Sequence, residues 1–457
     1  MTIILQNYKN LIDKIIKDTI INNIDNATSS FEGYSIKNYI NLLSSFDISL
    51  CNSFKEAFTC LIKELDTSYC NSIERKRKYH IKQKCNRTIL TIFGEITITR
   101  TFYKSKLNGS CFCYIDRMLG LQKYDYFDPY IKSEILSYVA NHNYSETAEY
   151  INNLIGNRIS INKKIKYINR QTVRNVIINA KLSKPKIKRL KDVDSLYIIA
   201  DEKWIPTQNN DNKKVMQKSI VIFDNFNTTG KRKYLNNKMT FSGRNEDFIY
   251  DAIEYIEKAY DINKIKYFYM LGDGATWINN LKYYFNCFKN IEIIQGLDHF
   301  HFKQAIWRIY NEKDVYKTLL SYILKDNKED FNRIINEIID IKPERKDKIT
   351  EYKKYLINNW DKINNLIKYN LSCPMESQIS HTFASYFTSR PKGYNKNMIN
   401  KLIELRLLYK NKYNIKELYL NNLNKENIID LNEPTLNYKI FDKKDTFTLT
   451  FKKKLNY

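Results

Sequence analysis

Glycine and proline are the scarce residues of this chain, 11 and 7 among 457. Lysine, asparagine, isoleucine and tyrosine stand in their place, a pattern that reflects AT-rich coding as much as physical demand. Also missing is any apolar run near the roughly 18 residues that cross a bilayer, and no dominant amphipathic anchor replaces it, so no membrane role is expected. The opening Met1-Thr2-Ile3-Ile4-Leu5-Gln6 turns polar too early for a signal peptide, and the expected location is cytoplasmic and nucleoid-associated. Eight cysteines are present, yet no two stand as Cys-x-x-Cys. In a reducing compartment they are expected to be free, partly buried thiols, with Cys111-x-Cys113 a slender zinc alternative.

Acidic residues are outnumbered as well: 50 Asp and Glu face 75 Lys and Arg, a net charge of +25. Such a balance calls for a polyanionic partner, most often nucleic acid. At 457 residues the chain exceeds what one ordinary core organises, so two or three domains are expected.

Over residues 2–79 apolar side chains recur at helical spacing, as in Leu11, Ile15, Ile16 and Ile20 and again in Phe54, Phe58, Leu61 and Ile62. Residues 1–80 therefore read as a helical amino-terminal region. The run Glu74-Arg75-Lys76-Arg77-Lys78-Tyr79-His80 is either a solvated helix face or a phosphate contact. From Arg87 the period becomes two, which predicts a hairpin turning at Phe93-Gly94-Glu95, with Arg100, Lys104 and Lys106 making one end basic. Helices are expected over 129–142 and 144–155, then a polar insertion to Ile168, then a helix opening Asn169-Arg170-Gln171-Thr172. With Arg170, Arg174 and Lys181 it resembles the recognition helix of a helix-turn-helix, the alternative being a purely structural three-helix unit. The stretch Ser183-Lys184-Pro185-Lys186-Ile187-Lys188-Arg189-Leu190-Lys191 closes the 81–190 region as a basic linker.

Beyond it, residues 195–201 predict a buried strand ending on Asp201. Further strands are predicted over 217–223, 233–241, 267–272 and 291–297, with helices over 246–260 and 277–288. The last two strands run into Asp273-Gly274 and Asp298-His299-Phe300-His301. Strand, strand, strand, helix, strand, helix, strand is the order of an RNase H-like core, which sets the ends of its first and fourth strands side by side. The expected fold class is thus an α/β RNase H-like core over 191–310 with an all-helical insertion over 311–370. A final core helix over 371–410 is headed by Glu376, and a tail over 411–457 carries no motif. Before the core lie the mainly helical region, the hairpin and the helix-turn-helix-like unit.

Asp201, Asp273 and Glu376 then stand at separate element ends. A bland explanation exists for an acidic residue there, capping of the next helix. As a set, however, such carboxylates suit phosphodiester chemistry, since they hold two Mg2+ ions roughly 3.5 to 4 Å apart, with Mn2+ able to substitute.

The phrases Ala200-Asp201-x-x-Trp204, Gly272-Asp273-Gly274-Ala275-x-Trp277-Ile278, Leu297-Asp298-x-Phe300-His301 and Glu376-x-x-Ile379-Ser380-His381, followed by Ser389-Arg390-Pro391-x-Gly393, resemble bacterial insertion-sequence transposases of the ISLre-two family, within the mutator-like DDE group. Phe93-Gly94-Glu95 and Arg100-Thr101-x-Tyr103 extend the likeness, which spans roughly residues 85 to 410. The resemblance implies that Asp201, Asp273 and Glu376 form a metal-binding DDE triad. It implies that Asp298 and His301 support the active site, and that His381 and Arg390 contact phosphate or end DNA. It further implies a homo-oligomer on DNA that binds terminal inverted repeats and target DNA, with Mg2+-dependent end cleavage and strand transfer. Rival expectations are a catalytically silent DNA-binding derivative and an RNase H-like nuclease. Glu202 lies beside Asp201, but alternation along a strand would send the two to opposite faces.

Overall fold

The computed structural model describes residues 36–156, 168–208, 214–230, 232–388 and 393–428, together with Asp13, Lys17 and Ile21. The rest of the expected helical region before residue 36, the insertion after residue 156 and Arg390 lie outside the described residues. Two compact units divide the chain: Met1–Lys184 with Ile415–Tyr457, and Pro185–Asn414.

In the first unit, helices α1 (Ile36–Asn71) and α2 (Ile73–Lys78) lead into strands β1 (Tyr79–Thr91) and β2 (Gly94–Ser105). The strands form the expected antiparallel hairpin, and Gly94 supplies the positive φ of its turn. A short β3 (Cys111–Cys113) adds to β2, so β2 is central and β1 is an edge. Ile62 of α1 packs with Ile89, Ile96 and Ile98 of the hairpin and with Ile115 of α3 (Tyr114–Met118). Arg100 does not belong to the basic end: it is largely buried and pairs with Asp116, which also holds Arg87 at 3.0 Å. Next come α4 (Pro129–Val139), α5 (Tyr144–Gly156) and α6 (Arg170–Asn179), which pack together. Within the tail after residue 410, for which the sequence offers no motif, the chain forms α16 (Ile415–Ile428), which packs on α4. Ile415, Leu418 and Tyr419 are buried there, and Lys416 reaches the buried Glu134. The Leu418 carbonyl accepts from both the amide and the hydroxyl of Ser183.

The second unit is built on a five-stranded mixed sheet. Its members are β4 (Ser195–Pro206), β5 (Lys214–Phe223), β8 (Met239–Gly243), β9 (Tyr267–Gly272) and β10 (Glu292–Leu297), in spatial order β10-β9-β4-β5-β8. The first three are antiparallel neighbours, whereas β9 and β10 run parallel to β4. Helices α7 (Asp247–Ala259) and α8 (Thr276–Phe285) cover one face through Phe248, Ile249, Ile256, Ile278 and Phe285, meeting Leu196, Ile198 and Ala200 of β4. The strand expected over 233–241 is split. Residues 225–236 make a separate hairpin, β6 (Asn225–Thr229) with β7 (Arg232–Asn236), before the chain re-enters the sheet as β8. Asp224 causes the break by accepting from the side-chain amides of Asn236 and Asn237 at 2.7 and 2.6 Å, while Asn237 takes φ +46°.

After β10 comes α9 (His299–Ile309), and then four helices fill the expected insertion: α10 (Lys313–Leu324), α11 (Lys328–Ile341), α12 (Lys346–Asn358) and α13 (Trp360–Lys368). They share a core of Phe302, Leu319, Phe331, Ile335, Trp360 and neighbours, and α13 also packs on β10. The helix headed by Glu376 is shorter than expected. It is α14 (Met375–Ile379), running on as a π-helical segment, Ser380–Thr388, and both pieces pack on β4. The buried Arg406 of α15 (Lys396–Lys410) donates to the carbonyls of His381 and Thr382 and so fixes that segment.

Candidate active site

Strand alternation decides which way the carboxylates at the end of β4 point. Since Leu196, Ile198 and Ala200 lie under α7 and α8, Asp201 faces away from those helices and Glu202 faces them. Glu202 is engaged there, accepting from the Trp277 indole at 2.8 Å. Asp201 accepts from the amide of Glu202 at 2.6 Å. Burial pushes its carboxyl up to about 6, with the Asp273 charge adding to the rise.

Two glycines place Asp273. A methyl group on Gly272 would meet the Ala200 carbonyl oxygen at 2.9 Å and Ile278 at 2.8 Å, so no side chain fits where β9 passes β4. Gly274 takes φ +89°, and a methyl there would sit 3.1 Å from both Asn359 and Leu297. Asp273 closes the turn by accepting from the Ala275 amide at 2.8 Å. Its own carbonyl accepts from the Tyr355 hydroxyl at 2.7 Å, and the Gly274 carbonyl from the Asn279 amide group at 2.9 Å. The Lys362 ammonium then ties Asn279 to Asn359 at 2.6 and 2.9 Å. Tyr355, Asn359 and Lys362 all come from the helical insertion, and nothing in their sequence spacing marked them.

Asp298, 5% exposed, caps α9 by accepting from the Phe300 amide at 3.2 Å, so the bland role of an acidic strand-end residue is real here. Its carboxyl is nevertheless pushed up by burial, with Glu376 and Asp273 adding to the effect. His301 stands with Nε2 3.9 Å from the Asp298 carboxylate. Burial pushes the Cys373 thiol up, and Asp298, Asp201 and Asp273 push it further. Sequence spacing gave no reason to single out Cys373. Asp201, Asp273, Asp298 and Cys373 thus lie near enough to influence one another, and Glu376 reaches the set only through Asp298. Among the described residues no three His, Cys, Asp or Glu side chains stand arranged to hold a metal ion. Asp201 and Asp273 are each engaged by a nearby backbone amide, and Glu376 is exposed at the head of α14.

Of the other expected contact residues, His381 is exposed on the π-helical segment of the second unit, and Arg170, Arg174 and Lys181 lie in the first unit. Val173 and Ile177 turn α6 inward, which leaves Arg170 and Arg174 exposed on the outer face and Lys181 exposed just beyond its end. Arg170 donates to the Ser145 hydroxyl at the start of α5. No described helix is long and apolar enough to cross a membrane.

Residues 32–422 match the model of UPF0236, described as an uncharacterised protein family. The chain belongs to that family. Two curated UPF0236 proteins of Caldanaerobacter subterraneus subsp. tengcongensis are 28% and 27% identical to this UPF0236 chain, over 80% of its length in both cases and 76% and 77% of theirs. The name of the first joins eleven loci of that organism, and the name of another relative joins four. These names state a family and no activity.

Proposed function

We propose that this UPF0236 chain is a DNA transposase whose second unit is an RNase H-like DDE core and whose first unit binds the ends of its element. The observation that carries the proposal is the close passage of β9 against β4 at Gly272 and Ala200, which brings the Asp273 turn next to Asp201, together with the packing on β4 of α14, the helix that Glu376 heads. The strand order β10-β9-β4-β5-β8, three antiparallel strands with two parallel ones added beyond the first, agrees with the order expected of an RNase H-like core and supports the same reading. So does the relative whose name joins eleven loci, because one product encoded at many places in a genome is what a self-moving element leaves behind.

The donor set fits Mg2+ or Mn2+, which favour carboxylate oxygen. Asp201, Asp273 and Glu376 would hold the ions, which when bound activate the attacking oxygen and stabilise the leaving one. What the chain itself contributes is placement. The Gly272-Asp273-Gly274 turn, held by Tyr355 and Asn279, fixes one carboxylate beside Asp201. Asp298 and His301 border the site and orient the start of α9. Acting as a homo-oligomer, the protein would bind terminal inverted repeats and target DNA, hydrolyse the element ends and join the freed 3′-hydroxyl to target.

The test uses pre-cleaved element ends in Mg2+. Asp201→Asn, Asp273→Asn and Glu376→Gln should keep end binding and lose joining, whereas Glu202→Gln, whose side chain serves Trp277, should retain it. Joining by Glu376→Gln, or its loss in Glu202→Gln with Asp201→Asn still active, sinks the assignment.

A further inference from the structure

The open end of the hairpin in the first unit concentrates cations in a way that fold stability does not explain. His80 of β1 stands directly opposite Lys104 of β2, and Lys104 is opposite Cys111 of β3. A bulge between Ile81 and Gln83 sets Lys82 out of register, and its ammonium reaches the Cys111 sulfur at 3.6 Å, on the face that Lys104 occupies. One residue past β2, Lys106 bonds back through its amide to the Lys78 carbonyl and through its ammonium to the Lys76 carbonyl. This sets it against the Arg77-bearing helix α2. All these basic side chains are exposed, and among the described residues Lys82, Lys104 and Lys106 have no carboxylate at ion-pair distance.

Lysines crowded onto one face of a sheet without acidic partners repel one another. Lysines and a bulge on an edge strand have an ordinary purpose, the prevention of unwanted strand pairing, and that accounts for Lys82. It does not account for Lys104, which sits on the central strand with both edges already paired. The nearby carboxylates are already engaged, Asp116 by the largely buried Arg87 and Arg100 and Glu74 by Lys78. What remains is a cationic face whose mutual repulsion a run of phosphates would relieve.

We propose that this face, centred on Lys82, Lys104 and Lys106, is a sequence-independent phosphate clamp for duplex DNA, separate from the outer face of α6. It rests on the DNA-binding reading above and divides the labour within the first unit: the ribbon grips backbone, and α6 reads sequence. All three side chains are exposed, so their replacement by glutamine leaves the core intact.

The experiment measures binding of the full chain to a labelled duplex of arbitrary sequence across a salt series. Each lost phosphate contact should make the slope of log affinity against log salt shallower by about 0.9. The triple variant Lys82→Gln, Lys104→Gln, Lys106→Gln should therefore flatten the slope by about 2 to 3. Arg170→Gln with Arg174→Gln should instead reduce the preference for the element's own ends over the arbitrary duplex. An unchanged slope in a triple variant with wild-type melting behaviour overturns the clamp while leaving the DNA-binding reading standing. No binding of any duplex by the wild-type chain at low salt overturns both. Binding of the triple variant that is lost to phosphatidylserine vesicles and not to DNA would also overturn the clamp.

Discussion

Asp201 shows how a site can cost its fold something. Its carboxyl is raised from the usual range to about 6, chiefly by burial and further by Asp273. In that window the folded state holds a proton that the unfolded chain has released, so stability falls as pH rises from about 4 to about 6 and stays reduced above it. A shift of roughly 2 units corresponds to at most about 3 kcal/mol, and the partial exposure of the residue reduces this to about 1 to 2. Asp201→Asn should therefore be more stable than wild type at neutral pH and lose that part of the acid-side gain, as denaturant titrations at several pH values would register. Equal pH dependence in the two proteins would contradict the burial of this charge. Asp298 separates two roles in one side chain. Asp298→Ala removes the cap of α9, a loss of about 1 kcal/mol. Asp298→Asn keeps an acceptor for the Phe300 amide, so its effect reports the charge alone. On the proposed reading it should slow end cleavage by about 10 to 100-fold, and His301→Ala should do likewise. Full cleavage by Asp298→Asn in a steady-state assay would reduce Asp298 to a cap.

Among the elements, the Gly272-Asp273-Gly274 turn and the helical insertion depend on each other. Tyr355→Phe deletes one hydroxyl, leaving the Asp273 carbonyl without that donor. The expected loss is about 1 kcal/mol or somewhat more, seen as a lower midpoint in denaturant. Gly274→Ala should cost more, roughly 1 to 3 kcal/mol, because it combines φ +89° with contacts at 3.1 Å to Asn359 and Leu297. An unaffected Gly274→Ala would mean that the turn is not held as described. The strands β4, β9 and β10 could be read from sequence because buried parallel strands appear as short apolar runs, and Asp201, Asp273 and Asp298 were conspicuous because each interrupts such a run. The split at Asn236 and Asn237 was hidden because Asp224, twelve residues upstream of Asn236, creates it through side-chain hydrogen bonds. Tyr355 and Lys362 sit unmarked on amphipathic helices, since the Asp273 carbonyl and the Asn279 side chain that they reach are brought near only by the folded chain. Arg100 was misplaced on the basic end for a similar reason: its partner, Asp116, belongs to α3 and not to the hairpin.

At the scale of the molecule, the first unit is discontinuous in sequence. Helix α16 covers α4 and supplies Lys416 to Glu134, a residue only 6% exposed. A chain ending at Asn414 should therefore melt at lower temperature in its first unit, and a peptide of residues 415–428 added in trans should restore part of the loss. Identical melting of truncated and full-length chains would show that α16 is dispensable. The same arrangement sets an order of events during synthesis. Residue 184 leaves the ribosome long before residue 415 is made, and throughout that interval the side of α4 that meets α16, with Glu134 on it, lacks its cover. The entire Pro185–Asn414 unit must be translated before the first unit can close. A product of premature termination anywhere within it consequently lacks α16, and with it a finished first unit.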